Sequence, residues 1–263
     1  MAAPATTWPA AVSERSAHLL RPPPRPATVL AAFPAALYLQ VDRSLLPVVA
    51  AGGLRLPTAL VVASDVHPVG WGVQPGDVVS VGGGEVALPS VRVRAVREWR
   101  PRRMPVAHGA STPRLRLCPP SPWRDEAARL AGRVVDGGPL TTLVGRFVGA
   151  GPGLTPSGDD VLCGVLLGLR LRGLAQLLPR LWVEVVPRLG RTTTLAAALL
   201  AEALEGYALS QVVRVGEALV AGDEEAAAAA CADVATIGHT SGEDLLAGLA
   251  GCLDALQDKE FVA

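Results

Sequence analysis

The sequence predicts an α+β chain in which a β-rich N-terminal domain, barrel- or sandwich-like, is followed by an all-α helical bundle. Three observations predict it. Short β-type runs broken by Gly, Pro and Asp clusters extend to about Leu117. After Cys118-Pro-Pro-Ser-Pro122 the apolar residues recur with helical periodicity. Glycines then punctuate that periodicity at intervals suited to helix ends. At 263 residues the chain exceeds one average domain. The expected division is an extended segment over 1–27, a β-rich domain over 28–118 and an α-helical domain over 119–263.

Residues 21–26 read Arg-Pro-Pro-Pro-Arg-Pro and cannot propagate a helix, because proline lacks the amide donor and restricts the residue before it. The runs Tyr38–Val41, Ala59–Ala63, Val78–Val81 and Val91–Val96 are expected strands, joined as hairpins. Gly82-Gly83-Gly84 suits a hairpin turn better than a phosphate loop. In the second half Ser121 is placed to cap a helix with Pro122 at its first position. Trp123, Ala127, Leu130, Ala131 and Val134 fall on one face of it. Further helices are expected at about 140–148, 158–172, 175–189, 194–205, 208–221, 223–236 and 242–257. Left-handed stops are expected at Gly173, Gly190, Gly206 and Gly222.

Composition narrows the function classes. Lys+Arg and Asp+Glu both number 24, so no field of one sign draws in nucleic acid or an anionic membrane. The first twenty residues lack the basic and apolar blocks of a secretion signal, and the apolar stretches fall short of the roughly 20 residues that span a bilayer. A cytoplasmic protein is expected. Cys118, Cys163, Cys231 and Cys252 have no CxxC spacing, and the last three lie on apolar helix faces, as buried hydrophobes rather than metal ligands.

The chemistry concentrates in Gly149-Ala-Gly-Pro-Gly-Leu-Thr-Pro-Ser-Gly-Asp-Asp160. Gly151 and Gly153 allow a tight turn, and Ser157 is expected to cap the next helix with Asp160 in the capping-box position. The amides near Gly158, with the Thr155 and Ser157 hydroxyls, would then form an anion site. The start of this helix recurs later: Ser157-Gly-Asp-Asp-Val-Leu-Cys-Gly164 matches Ser241-Gly-Glu-Asp-Leu-Leu-Ala-Gly248. Either both are merely good helix starts, or the two N-termini face one pocket, with His239, Thr240, Ser241 and Gly242 on one side and Thr155 and Ser157 on the other. Arg191-Thr192-Thr193-Thr194 suits a carboxylate or phosphate, and equally a plain N-cap. His239, Asp160 and Asp244 are the candidate catalytic groups. No cofactor is expected beyond a magnesium ion that Asp159 and Asp160 could hold. P-loop, zinc, dinucleotide and nucleophile-elbow patterns are missing.

The run at 151–160, the Arg-Thr-Thr at 191–193 and the Gly-His-Thr-Ser-Gly-Glu-Asp-Leu-Leu-Ala-Gly at 238–248 together resemble the AllH-like family, whose namesake is a subunit of oxamate carbamoyltransferase. The resemblance covers the helical half well and the β-rich half loosely. It implies a place in allantoin breakdown, where a multi-subunit enzyme converts oxalurate and phosphate into oxamate and carbamoyl phosphate. On that chemistry, phosphate is expected at Thr155 to Gly158, the oxamate carboxylate at Arg191 and Thr192, and His239 on the carbamoyl oxygen. The Ser-Thr-Arg-Thr loop of classical carbamoyltransferases is missing, so partner chains are expected. The alternatives are a non-catalytic scaffold or regulatory subunit, and a metal-assisted small-molecule enzyme of another pathway.

Overall fold

A computed structural model describes residues 6–63, 69–107 and 121–257, and the chain divides into two compact units, Met1–Arg102 and Arg103–Ala263. Cys118 and the boundary expected beside it lie outside the described residues. The division falls earlier than expected, because Arg103–Ala107 pair with the helical unit. Arg103 bridges to Tyr207 and donates to the Glu205 carbonyl, Met104 N donates to Gly206 O, and Ala107 N donates to Leu171 O.

The first unit is a closed barrel of eight strands: β1 (Thr6–Ser13), β2 (Arg25–Phe33), β3 (Ala36–Val41), β4 (Ser44–Val49), β5 (Leu60–Val62), β6 (Val78–Gly82), β7 (Glu85–Ala87) and β8 (Val91–Trp99). A short helix, α1 (Ala17–Leu20), follows β1. The order around the barrel is β1-β5-β4-β3-β2-β6-β7-β8. Hairpins join β2 to β3, β3 to β4, β6 to β7 and β7 to β8, the β6–β7 one at the expected Gly82–Gly84 turn, whereas the expected strand at 59–63, β5, pairs with β1 and, in parallel, with β4. Gly83 and Gly84, both at positive φ, make the two-residue turn from β6 to β7, the conformation a tight hairpin requires. Parallel pairings, which need remote segments, complete the ring: β4 with β5, and β1 with β8 from Thr6↔Val91 to Ser13↔Trp99. The N-terminal segment is therefore corrected. Thr6–Ser13 is a barrel strand rather than an unpaired lead, with its C-terminal half buried, and the prolines at 22–24 lie between α1 and β2. Leu37, Leu39, Val41, Leu46, Val48, Leu60, Val81 and Val93 fill the interior at no measurable exposure.

The second unit contains α2 (Pro122–Val135), α3 (Thr141–Phe147), α4 (Ser157–Leu171), α5 (Leu178–Val185), α6 (Thr194–Leu204), α7 (Ser210–Ala221), α8 (Glu224–Ala235) and α9 (Ser241–Ala255). Ser121 caps α2 by accepting from Trp123 N at 3.3 Å, with Pro122 in the first turn. Ala127, Leu130, Ala131 and Val134 are buried and Trp123 packs against Phe147. The helix expected at 175–189 is instead a 3-10 turn (Ala175–Leu177), α5 and a second 3-10 segment (Val186–Arg191). Pro187 cannot donate a helical hydrogen bond there. Gly173, Gly206 and Gly222 are left-handed stops, whereas Gly190 lies inside the second 3-10 segment and is not among the positive-φ glycines. The described cysteines, Cys163, Cys231 and Cys252, are free and buried. Among the described residues no helix is long and apolar enough to cross a membrane.

Candidate functional site

The centre of the helical unit is the contact between α4 and α9, and the sequence repeat explains its geometry. A Cβ on Gly164 would strike the Leu245 carbonyl, and a Cβ on Gly248 would strike the Val161 carbonyl. Those are corresponding positions of the repeat, so the two helices are related by a local pseudo-two-fold. Further along, Gly168 packs on Cys252, again a corresponding pair. Contact positions rise together on both helices, which therefore run in the same direction with their N-termini adjacent. Each start also abuts its predecessor in the same way: Gly158 lies against the Phe147 carbonyl at the end of α3, and Gly242 against the Val234 carbonyl near the end of α8. Only glycine permits these approaches, where helix backbones touch directly.

Ser157 and Ser241 do not cap these helices. Each is the first helical residue, and the cap positions are Pro156 and Thr240, neither with a side-chain cap bond. Ser241 Oγ instead meets Thr155 Oγ1 at 2.8 Å, tying the two helix starts together. The first-turn amides are also engaged internally. Gly158 N donates to Ala150 O, Asp159 N and Asp160 N to Pro156 O, Gly242 N to Ile237 O, and Asp244 N to Thr240 O. The expected anion cradle at the Gly158 and Gly242 amides is thus occupied by the chain's own carbonyls.

Asp159 and Asp160 are neighbours with different work. Asp159 is 1% exposed and accepts from Gly149 N at 3.1 and 3.2 Å and from Thr192 Oγ1 at 2.5 Å. Gly149, at φ +74°, passes so close to the Arg191 carbonyl that no side chain fits. Asp159 therefore fastens the glycine-rich turn to the Arg-Thr-Thr segment. Burial pushes its carboxyl above the ordinary range, and the bonds from Thr192 and Gly149 and the Arg191 charge draw it back. Thr193 caps α6 by accepting from Ala196 N at 3.0 Å, and its hydroxyl donates to Leu154 O. The N-cap reading of this segment holds at Thr193, and Thr192 Oγ1 donates to Asp159. Arg191 is exposed and donates to Gly145 O at 3.1 Å.

Asp160 and Asp244 occupy the same place on the two helices. They are 5% and 8% exposed, and Oδ2 of each is buried without a hydrogen-bond partner. Burial pushes the Asp160 carboxyl up to about 7; the Ser241 hydroxyl opposes this, the Asp244 charge adds to it, and Thr155 opposes it more weakly. Around this pair Thr155, Ser157 and Ser241 are half-buried, while Gly151, Gly153, His239 and Thr240 are exposed in the turns leading into the helices. The structure thus brings Thr155, Asp160, Ser241 and Asp244 together and sets Arg191 beside Asp159. His239 sits at the surface turn before α9. Among the described residues no group of three or more His, Cys, Asp or Glu side chains is arranged to hold a metal ion. Sequence reasoning missed the clamp formed by Asp159, Gly149 and Thr192. Its only signal was an aspartate in a first turn, which capping explains equally well.

The family model for oxamate carbamoyltransferase subunit AllH matches residues 147–253. That span opens on the last residue of α3 and closes within α9, so it takes in both helix starts and the Arg-Thr-Thr segment. No curated protein and no solved structure matches the chain.

Proposed function

We propose that this chain, matched over 147–253 by the oxamate carbamoyltransferase subunit family, works in reversible carbamoyl transfer between carbamoyl phosphate and oxamate, as one subunit of a larger enzyme. The observation that carries the reading is coincidence: the matched span is the part of the chain that builds the paired helix starts around Asp160 and Asp244. The family's description names a subunit, which supports an assembly with partner chains.

The reaction needs an anion held at one end, an oriented amide and a proton source for the departing nitrogen. Arg191 is exposed beside the glycine-rich turn and suits the anionic group, phosphate or carboxylate, through its planar fork. Thr155, Ser157, Thr240 and Ser241 supply hydroxyls around the two N-termini, and the exposed Gly151 and Gly153 let a ligand approach the backbone. His239, at the rim, is the group assigned to the carbamoyl oxygen. Asp160 and Asp244 supply acid–base capacity. Two buried carboxyls would repel a dianion, so the phosphate belongs on the Arg191 side of the site rather than over α4.

The test is phosphate release from carbamoyl phosphate dependent on oxamate, measured with the chain alone and with the products of neighbouring genes. Turnover only in the mixture, reduced at least about tenfold by Arg191→Ala, is the expected result. A mixture that turns over equally well without this chain would overturn the reading.

A further inference from the structure

The glycine-rich turn before α4 is fastened along its length. At its start Gly149 N donates to both Asp159 oxygens, at 3.1 and 3.2 Å, and Thr192 Oγ1 donates to Asp159 Oδ2 at 2.5 Å. At its end the Thr193 hydroxyl donates to Leu154 O, and Thr155 Oγ1 meets Ser241 Oγ at 2.8 Å. Between these ties Gly151, Pro152 and Gly153 are exposed. Arg191 is drawn into the same arrangement at three points. Its carbonyl abuts Gly149 so closely that no side chain fits there. Its guanidinium donates to Gly145 O at 3.1 Å. The next residue, Thr192, hangs from Asp159. The Arg191 charge is also near enough to act on the Asp159 carboxyl. Asp159 itself is 1% exposed with both oxygens engaged, out of reach of a ligand, whereas Arg191 is exposed.

We propose that Asp159 is a positioning residue for anion binding: by holding Gly149 and Thr192 it fixes Arg191 between them, so that the guanidinium meets the anion already oriented. That the anion is phosphate rests on the carbamoyl-transfer reading; the fastening of Arg191 does not. A free arginine side chain loses rotamer freedom when it takes a ligand, and anchoring it beforehand lowers that cost. Only one of the five N–H donors of the guanidinium is needed for Gly145, which leaves a planar fork for phosphate. The Asp159 charge works the other way, because a carboxylate near Arg191 repels an anion. Its benefit to binding therefore lies in its hydrogen bonds, and asparagine separates the two effects. In Asp159→Asn the amide oxygen accepts from Gly149 N and the amide nitrogen donates to Thr192 Oγ1, so both ties survive while the charge is gone.

Phosphate affinity of the chain is read from the rise of its unfolding midpoint with added inorganic phosphate at constant ionic strength. Asp159→Ala should weaken it about tenfold and Thr192→Val about threefold, while Asp159→Asn binds as tightly as wild type or more so. Adding Asp159→Ala to Arg191→Ala should cause no further loss, because one residue acts through the other. Wild-type affinity in Asp159→Ala overturns the proposal, as does an equal further loss in the Arg191→Ala background. A loss in Asp159→Asn as large as that in Asp159→Ala overturns it too, and so does a wild-type chain that phosphate does not stabilise. Should Asp159→Ala not fold, Thr192→Val decides, and unchanged affinity there overturns the proposal. In the assembled enzyme Asp159→Ala should raise KM for phosphate about tenfold with kcat within about threefold of wild type. A fall in kcat with KM unchanged contradicts a role in binding. The expected affinities without turnover in any assembly would overturn the carbamoyl-transfer reading and leave the positioning of Arg191 standing.

Discussion

At Asp159 both carboxylate oxygens are engaged by donors, whereas Asp160, one residue on, keeps a buried oxygen without one. That difference separates a fastening residue from one that keeps an uncommitted carboxyl oxygen. Removing the Asp159 carboxylate strands the Gly149 amide and the Thr192 hydroxyl, so Asp159→Ala should cost roughly 3 kcal/mol in denaturant unfolding, and Thr192→Val roughly 1 kcal/mol. For Asp160 the sign reverses. Its folded carboxyl titrates at about 7 against an ordinary 3.8, so its contribution is full below about pH 4 and is lost as pH rises through 7, a swing on the order of 4 kcal/mol at most. Unfolding free energies across that window check it, and a flat profile would contradict it. Sequence singled out Asp160 and Asp244, because an acid followed by Asp recurs at both helix starts. It could not tell Asp159 from Asp160, since hydrogen-bond partners such as Thr192 come from distant parts of the chain.

Between elements, the pseudo-two-fold contact of α4 and α9 depends on having no side chain at Gly164 and Gly248, where each helix meets the other's backbone carbonyl. Backbone cannot yield as a flexible side chain can. Gly164→Ala and Gly248→Ala should each destabilise by about 3 kcal/mol or more. Gly132 in α2 offers the contrast, with open space where a Cβ would stand, and Gly132→Ala should be neutral or stabilising by up to about 1 kcal/mol. Thermal unfolding of the three variants side by side reads both outcomes. Most helices were legible because apolar periodicity and glycine stops are local signals, as at α2 with Ser121 and Pro122. The cap expected at Ser157 is instead Pro156, and at the second start Thr240 takes the cap position, leaving Ser241 to reach Thr155. Barrel closure was not legible either: the pairing of β1 with β8 joins residues almost a domain apart, and only the alternation within each strand is written locally.

For the whole molecule, the family match lies within the helical unit, from residue 147 to 253, and the barrel lies outside it. The site assembled in that helical unit has buried acids, hydroxyls and one exposed guanidinium, without an activated nucleophile among the residues assigned to it. Under the proposed function, such a site contributes proton transfer and anion binding to a reaction that partner chains complete. The measurement that bears most directly on this account is the rate of oxalurate phosphorolysis by the assembled enzyme carrying Asp160→Asn in this chain, with unfolding of the variant chain followed in parallel. A variant as stable as wild type near neutral pH, with turnover down about 100-fold or more, is the predicted result. Turnover within a few-fold of wild type would contradict it and leave the paired aspartates a structural feature of the α4–α9 contact.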